Sequence, residues 1–167
     1  MRTPFRKTWY LKLTPELFSL LDVQSGMLLS EQPLLAYKTD KGRRIPLAAG
    51  NAALGCAGQA GVTLANGFRH PRTLLADFSI AAATLKLLLQ KCAKPFHLQL
   101  APTLILHPQA MLEGGLTQIE IRGLVELARS AGARKIFLWT GAELPAATLD
   151  TLDFSPARGQ LLYPEQQ

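Results

Sequence analysis

The chain has 167 residues, 48% hydrophobic and 18% charged, and its 18 basic against 12 acidic side chains leave a net charge of +6. That length builds one domain, or two closely fused lobes, with a real core, and this composition excludes wholesale disorder. No apolar run reaches the roughly 18–20 residues that span a bilayer, and no apolar segment follows the basic start as a secretory signal would, so a cytoplasmic chain is expected.

The first twelve residues carry Arg2, Arg6, Lys7 and Lys12 and no acid. Such a patch attracts phosphates of nucleic acid or of anionic lipid. Phe5 and Trp9 lie among these cations, and aromatics beside cations favour a membrane interface. Arg2, Phe5, Arg6, Lys7 and Trp9 are therefore candidates for membrane contact; the plainer alternative is a solvated basic tail leading into a strand. No aromatic-basic RNA-binding motif occurs, so no nucleic-acid partner is expected.

Trp9 to Leu13 alternates as a strand does, and Thr14-Pro15-Glu16 interrupts it. Leu17 to Val23 predicts a second strand, with Gln24-Ser25-Gly26 turning the chain into Met27-Leu28-Leu29 as a meander. Gln32 to Tyr37 predicts a further strand, Lys38 to Arg44 a charged turn, and Ile45 to Ala49 the return of a hairpin that turns at Gly42. The glycine-rich stretch from Ala48 to Gly61 matches neither phosphate-loop spacing, so a short helix over Ala52 to Ala57 is the simpler account.

Leu74 to Ala76 predicts a short strand, after which Asp77 or Ser79 caps a helix over Ile80 to Lys91 that is rich in alanine and leucine. Pro95 ends that helix, and Leu98, Leu100 and Thr103 to Leu106 supply extended residues. Thr117 and Glu120 form a capping box for a helix running to about Ser130, which Gly132 stops. Lys135 to Trp139 predicts the last strand. Strands first, then helix, strand, helix, strand, describes an α/β layer with a mixed sheet, whose right-handed crossovers make the later strands parallel.

Chemistry-bearing groupings are few. His70, His97 and His107 have no ligand spacing, so no metal is expected. His107-Pro108 follows a strand's C-terminal end, where α/β sheets place active sites, although a lone histidine there is more often a loop residue than a catalytic one. Cys56 and Cys92 lack any ligand-like spacing and read as reduced thiols.

Several segments match, in order, those of a known family. Ala131-Gly132-Ala133-Arg134-Lys135-Ile136-Phe137-Leu138 is similar to its Ala-Gly-Ala-Arg-Glu-Val-Phe-Leu, and Thr117-Gln118-Ile119-Glu120-Ile121-Arg122 to its Thr-Gln-Val-Glu-Arg-Arg. Ala76-Asp77-Phe78 matches its Ala-Asp-Phe, and Gly26 to Pro33 its Gly-Ile-Val-Leu-Asn-Glu-Pro. Over residues 1–148 the chain thus resembles the first half of MreB, the bacterial actin homologue, whose basic-aromatic N-terminus Phe5-Arg6 also echoes.

The resemblance implies a single actin-like, ribonuclease-H-like lobe over residues 1–150, with a mixed sheet, flanking helices and a small inserted subdomain at about 31–72; residues 151–167 form a C-terminal tail. It also exposes departures. The family's phosphate loop, Asp-Leu-Gly-Thr-Ala-Asn-Thr, aligns with Lys12-Leu13-Thr14-Pro15-Glu16-Leu17-Phe18. Lys12 reverses the charge of the acid at the metal–nucleotide site, Thr14 replaces a glycine, Pro15 removes an amide donor and Glu16 follows in a degenerate loop. Where the family has Glu-Glu-Pro after the late strand, Trp139-Thr140-Gly141-Ala142 stands here, and Glu143 aligns only with an insertion.

The expectation is a pseudo-ATPase with no catalytic residue, no nucleotide cofactor and no metal. It would serve as an interaction module for MreB or another actin-like subunit, or as a homo-oligomer, in the cytoplasm or at the inner face of the membrane. One alternative is an adaptor for an unrelated protein, with Leu149 to Gln167 as its docking tail; another is residual nucleotide binding through Lys12, Asp77 and His107 beside a partner lobe.

Overall fold

The computed structural model describes residues 7–92 and 101–164. The first three strands, β1 (Thr8–Leu13), β2 (Phe18–Asp22) and β3 (Leu28–Glu31), form the expected antiparallel meander. β4 (Leu35–Asp40), β5 (Arg43–Ala49), α1 (Asn51–Leu54) and β6 (Val62–Ala65) follow. Then come α2 (Phe78–Cys92), β7 (Thr103–Pro108), α3 (Gln118–Ser130), β8 (Lys135–Gly141), α4 (Ala146–Thr151) and β9 (Gly159–Tyr163).

Two sheets result: a six-stranded one in the order β3-β2-β1-β7-β8-β9, and a three-stranded one in the order β5-β4-β6. β1, β7 and β8 run parallel at the centre of the larger sheet, as right-handed crossovers require, while β2, β3 and β9 are antiparallel to their neighbours. Every residue of β7 is buried, as expected of a central parallel strand covered on both faces.

Alternation along the strands divides the core in two. Leu11, Leu13, Leu104, Leu106, Ile136 and Leu138 face α2 and α3, meeting Leu85, Leu88, Leu124 and Leu127. Tyr10, Ile105, Phe137 and Trp139 point to the opposite face, where Leu144, Leu149 and Phe154 cover them. Each fully buried leucine contributes about 1.5–3 kcal/mol relative to an exposed one, so α2 is held chiefly by its inward stripe.

Both long helices begin as their residues dictate. Thr117 Oγ1 accepts from the Glu120 amide at 3.2 Å while the Glu120 carboxylate accepts from the Thr117 amide at 2.8 Å, completing the capping box. Asp77 caps α2 by accepting from the Ile80 amide at 3.1 Å, and its other oxygen accepts from Arg44 at 2.8 Å.

The three-stranded sheet lies within the interval 31–72 given to the inserted subdomain. A tie fastens it to the lobe: Lys91 of α2 donates to both carboxylate oxygens of Glu31 (2.9 and 2.8 Å) and to the Ala49 carbonyl at 3.0 Å. The Asn51 amide donates to the same carboxylate at 2.8 Å. Between them the chain passes Gly50 at φ 70° and ψ −142°, where a Cβ would overlap Glu31 and crowd Leu88.

Four expectations need correction. β4 starts at Leu35 and keeps Lys38 to Asp40 in the strand, so the turn shrinks to Lys41-Gly42, both at positive φ as a two-residue hairpin turn demands. α1 stops at Leu54 rather than Ala57. Leu74 to Ala76 is not a strand: Leu74 is buried, but the Ala76 and Asp77 amides both donate to the Gly67 carbonyl in a loop. The segment read as a tail from residue 151 carries β9, which pairs antiparallel with β8. Pro95, Leu98 and Leu100 lie outside the described residues.

Candidate functional site

Parallel strands aim their C-terminal ends, and the loops that follow, at one edge of the sheet, the usual place for a site in α/β proteins. Here that edge gathers Lys12 and His107, register partners on β1 and β7, and the segment Gly141 to Leu144 after β8.

Deepest is a buried chain of hydrogen bonds. The Tyr10 hydroxyl lies 2.6 Å from His107 Nδ1, His107 Nε2 lies 3.1 Å from the Gly141 carbonyl, and the Leu144 amide donates to the Tyr10 oxygen at 3.3 Å. A carbonyl only accepts, so Nε2 carries the proton; Nδ1 then accepts from Tyr10, whose oxygen is left to accept from Leu144. One tautomer satisfies every group. Burial pushes the Tyr10 hydroxyl up to about 12, opposed by the Leu144 amide and reinforced by the Glu143 charge. Burial likewise holds His107 below its ordinary 6.5, against the Gly141 carbonyl and Glu143, with Lys12 adding to the depression. Both imidazole nitrogens are thus committed to protein partners, and the ring clamps the β8 exit loop to β1. His107 is a buried residue of β7 itself, not a loop residue after it.

Above the clamp, Lys12 Nζ lies 2.6 Å from Glu143 Oε1, with the lysine 26% and the glutamate 64% exposed. Glu143, which sequence alignment reached only by an insertion, is therefore brought to the residue that reverses the family's acid. The pair neutralises itself.

The loop after β1 is closed upon itself. The Thr14 amide donates to the Leu17 carbonyl at 2.9 Å, Pro15 has no amide hydrogen, and the Glu16 and Leu17 amides donate to Thr14 Oγ1 at 3.2 and 3.0 Å. Asn66 further holds the Pro15 carbonyl at 2.7 Å, and Arg69 reaches Glu16 at 3.5 Å. A phosphate cradle needs free amides converging on one point. From Thr14 to Leu17 each amide is missing or already donated, so these residues do not fit the nucleotide phosphates and metal that the family resemblance implies.

The remaining candidates are dispersed. Asp77 is the cap of α2, its carboxyl held low first by the Ile80 amide and then by Arg44. Trp9 is 3% exposed within the core, which corrects its reading as a membrane contact; an indole beneath the sheet surface cannot reach lipid. Lys7 places its ammonium 4.5 Å over the Trp9 ring, while Arg2, Phe5 and Arg6 lie outside the described residues. Cys92 is buried, and burial raises its thiol. Among the described residues no three His, Cys, Asp or Glu side chains gather as a metal site, and no helix is long and apolar enough to cross a membrane. Sequence reasoning passed over Tyr10; its parity opposite Trp9 and Leu11 was the available signal.

No protein-family model matches the chain, and no curated protein does. Solved structures do. MreB5 of Spiroplasma citri bound to AMPPNP matches with a TM-score of 0.59 and 21% identity over 80% of this chain and 38% of that one. The same protein bound to ADP matches with a TM-score of 0.59 and 20% identity, covering 80% and 37% of the two chains. A non-polymerising mutant of MamK bound to AMPPNP gives a TM-score of 0.62 and 10% identity, covering 81% and 41%. The chain has the fold of one actin-like lobe and spans about two fifths of the solved chains it matches.

Proposed function

We propose that this chain is a non-catalytic, MreB-like pseudo-ATPase lobe that works as a protein-interaction module on a bacterial actin-like filament. The observation that carries the reading is the closed loop Thr14–Leu17, whose amides are spent internally. MreB5 and MamK, which share this fold, are solved with AMPPNP or ADP, whereas the residues of this chain's loop spend their amides on one another. Here Lys12 and Glu143 neutralise each other where the family resemblance places an acid, and the His107 clamp uses both ring nitrogens for architecture.

A lobe without nucleotide chemistry still has actin-like surfaces with which to meet an actin-like subunit. Open head-to-tail polymers need two complementary patches on every member. A member offering one patch alone ends or shortens a filament, so the reading makes this chain a modulator of filament length, and through it of cell shape, at the cytoplasmic face of the membrane.

The test is co-sedimentation with polymerised MreB. The chain should pellet with filaments, at a stoichiometry well below one per subunit, and reduce their mean length in electron micrographs. A chain that stays in the supernatant at low salt, with filament length unchanged, would reject the filament reading.

A further inference from the structure

We propose that His107 is the proton sensor of a local switch: a proton taken up at its Nδ1 draws Glu143 away from Lys12 and swings the end of the β8 exit loop outward, while the sheet stays folded. The hydrogen-bond count carries it. In the neutral ring one tautomer satisfies His107, Tyr10 and the Leu144 amide together. When a solvent proton forms an N–H bond at Nδ1, that nitrogen changes from acceptor to donor. The Tyr10 oxygen then faces two N–H donors, from His107 and Leu144, and the tyrosine's own hydrogen loses the acceptor it had. His107 is 1% and Tyr10 2% exposed, so water cannot make up the loss while the loop is closed.

The loop does not let go everywhere, because Nε2 keeps both its proton and its Gly141 partner through the change. Its first half is also anchored independently. The Ala142 amide donates to the Arg158 carbonyl at 2.7 Å, the Trp139 indole donates to the Ala142 carbonyl at 2.9 Å, and Gly141 lies so close to Gly159 that a Cβ would not fit. The second half hangs on β1 alone, on Tyr10 through the Leu144 amide and on Lys12 through Glu143.

The charges around the ring set the direction of the swing. From β1 the ring faces Tyr10 and Lys12, and from the exit loop Glu143; the layer covering this side of the sheet, Leu144, Leu149 and Phe154, is apolar. A buried imidazolium needs a counter-ion, and Glu143, 64% exposed and free to turn, is the carboxylate that faces it. The open loop, hydrated and with Glu143 against the ring, binds the proton better than the closed one, so acid shifts the population toward it. Closed, the sheet edge is neutral at Lys12; open, it presents an unpaired ammonium. Burial holds His107 below 6.5, which places the switch on the acid side of that value. The switch needs neither nucleotide nor filament and is independent of the proposed function.

Hydrogen exchange of the intact chain, followed by NMR from pH 7.5 to pH 5 and corrected for intrinsic rates, tests it. The Leu144 amide should lose protection as pH falls, the Ala142 amide should keep it, and far-UV circular dichroism should stay constant. The ring-nitrogen shifts of His107 should show Nδ1 bare at pH 7.5 and protonated over the same transition. Two variants separate a switch from simple loosening. Glu143→Gln removes the counter-ion and should move the Leu144 midpoint to lower pH, whereas Lys12→Gln removes the competing cation and should move it to higher pH. An ion pair that merely braces the loop would move both midpoints the same way. Protection of Leu144 unchanged at pH 5, loss at Leu144 and Ala142 together, or both variants shifting in one direction overturns the proposal. The exchange of the unmodified chain decides the matter even if a variant fails to fold.

Discussion

Tyr10 and His107 meet across 2.6 Å beneath the sheet edge, and the histidine's other nitrogen holds the Gly141 carbonyl at 3.1 Å. A tyrosine of β1 and a histidine of β7 thus fix the exit of β8, and with it Glu143, which reaches Lys12.

That network makes stability depend on pH. His107 titrates below its ordinary 6.5 in the folded chain, so just below pH 6.5 the unfolded chain binds more protons than the folded one. The histidine's contribution is complete above pH 6.5 and is lost as pH falls through the lower folded value. The groups facing the ring are Tyr10, Lys12 and Glu143. Urea unfolding at pH 5 and pH 7.5 should show the chain less stable at pH 5, and His107→Gln should flatten that difference.

Tyr10→Phe removes the hydroxyl and leaves both Nδ1 of His107 and the Leu144 amide buried without this partner. The expected loss is about 1–3 kcal/mol in chemical denaturation, with the β8 exit loop gaining hydrogen-exchange lability. An unchanged unfolding midpoint would mean that the clamp does not hold the loop.

Gly50→Ala should destabilise by roughly 2–5 kcal/mol, combining a backbone region closed to alanine with overlap against Glu31 and Leu88. Gly26→Ala is the control. Its φ of 73° is also positive, but a Cβ there meets open space, so a loss of only about 1 kcal/mol is expected. The same denaturation assay ranks the two.

Lys12→Ala and Glu143→Ala should each change stability by under about 1 kcal/mol, because the pair is solvent-exposed and screened. Thr14→Val strips the acceptor from two amides of the loop and should cost about 1 kcal/mol while loosening residues 14–17 to hydrogen exchange.

The central sheet was legible because its strands carry apolar runs, Trp9 to Leu13, Leu104 to Leu106 and Ile136 to Trp139, and α3 because its capping box and Gly132 mark both ends. β6 and β9 were not. Val62-Thr63-Leu64-Ala65 is only four residues long and adjoins a glycine-rich stretch, and Gly159 to Tyr163 begins with glycine and glutamine, so it is pairing with β4 and β8 that makes them strands. Leu74 to Ala76 failed in the opposite sense: Leu74 is buried as a strand residue would be, yet the Ala76 amide serves the Gly67 loop that leads to the Asp77 cap.

At the site, Lys12, Thr14 and Pro15 could be read as departures from a phosphate loop because a substitution shows in sequence. What filled the gap could not. The Lys12–Glu143 pair spans 131 residues and the Tyr10–His107 contact 97, and separations of that size emerge only when β1, β7 and β8 lie side by side. Trp9 misled for a similar reason. Composition placed it among cations, whereas strand parity places it in the core.

The most direct test of the closed loop is calorimetric titration of the intact chain with ATP, with and without magnesium. No saturable, magnesium-dependent heat up to millimolar ATP is the predicted result. Saturable binding that requires magnesium and disappears in Lys12→Ala would contradict the account, showing that the loop opens to admit phosphate and that Lys12 meets it.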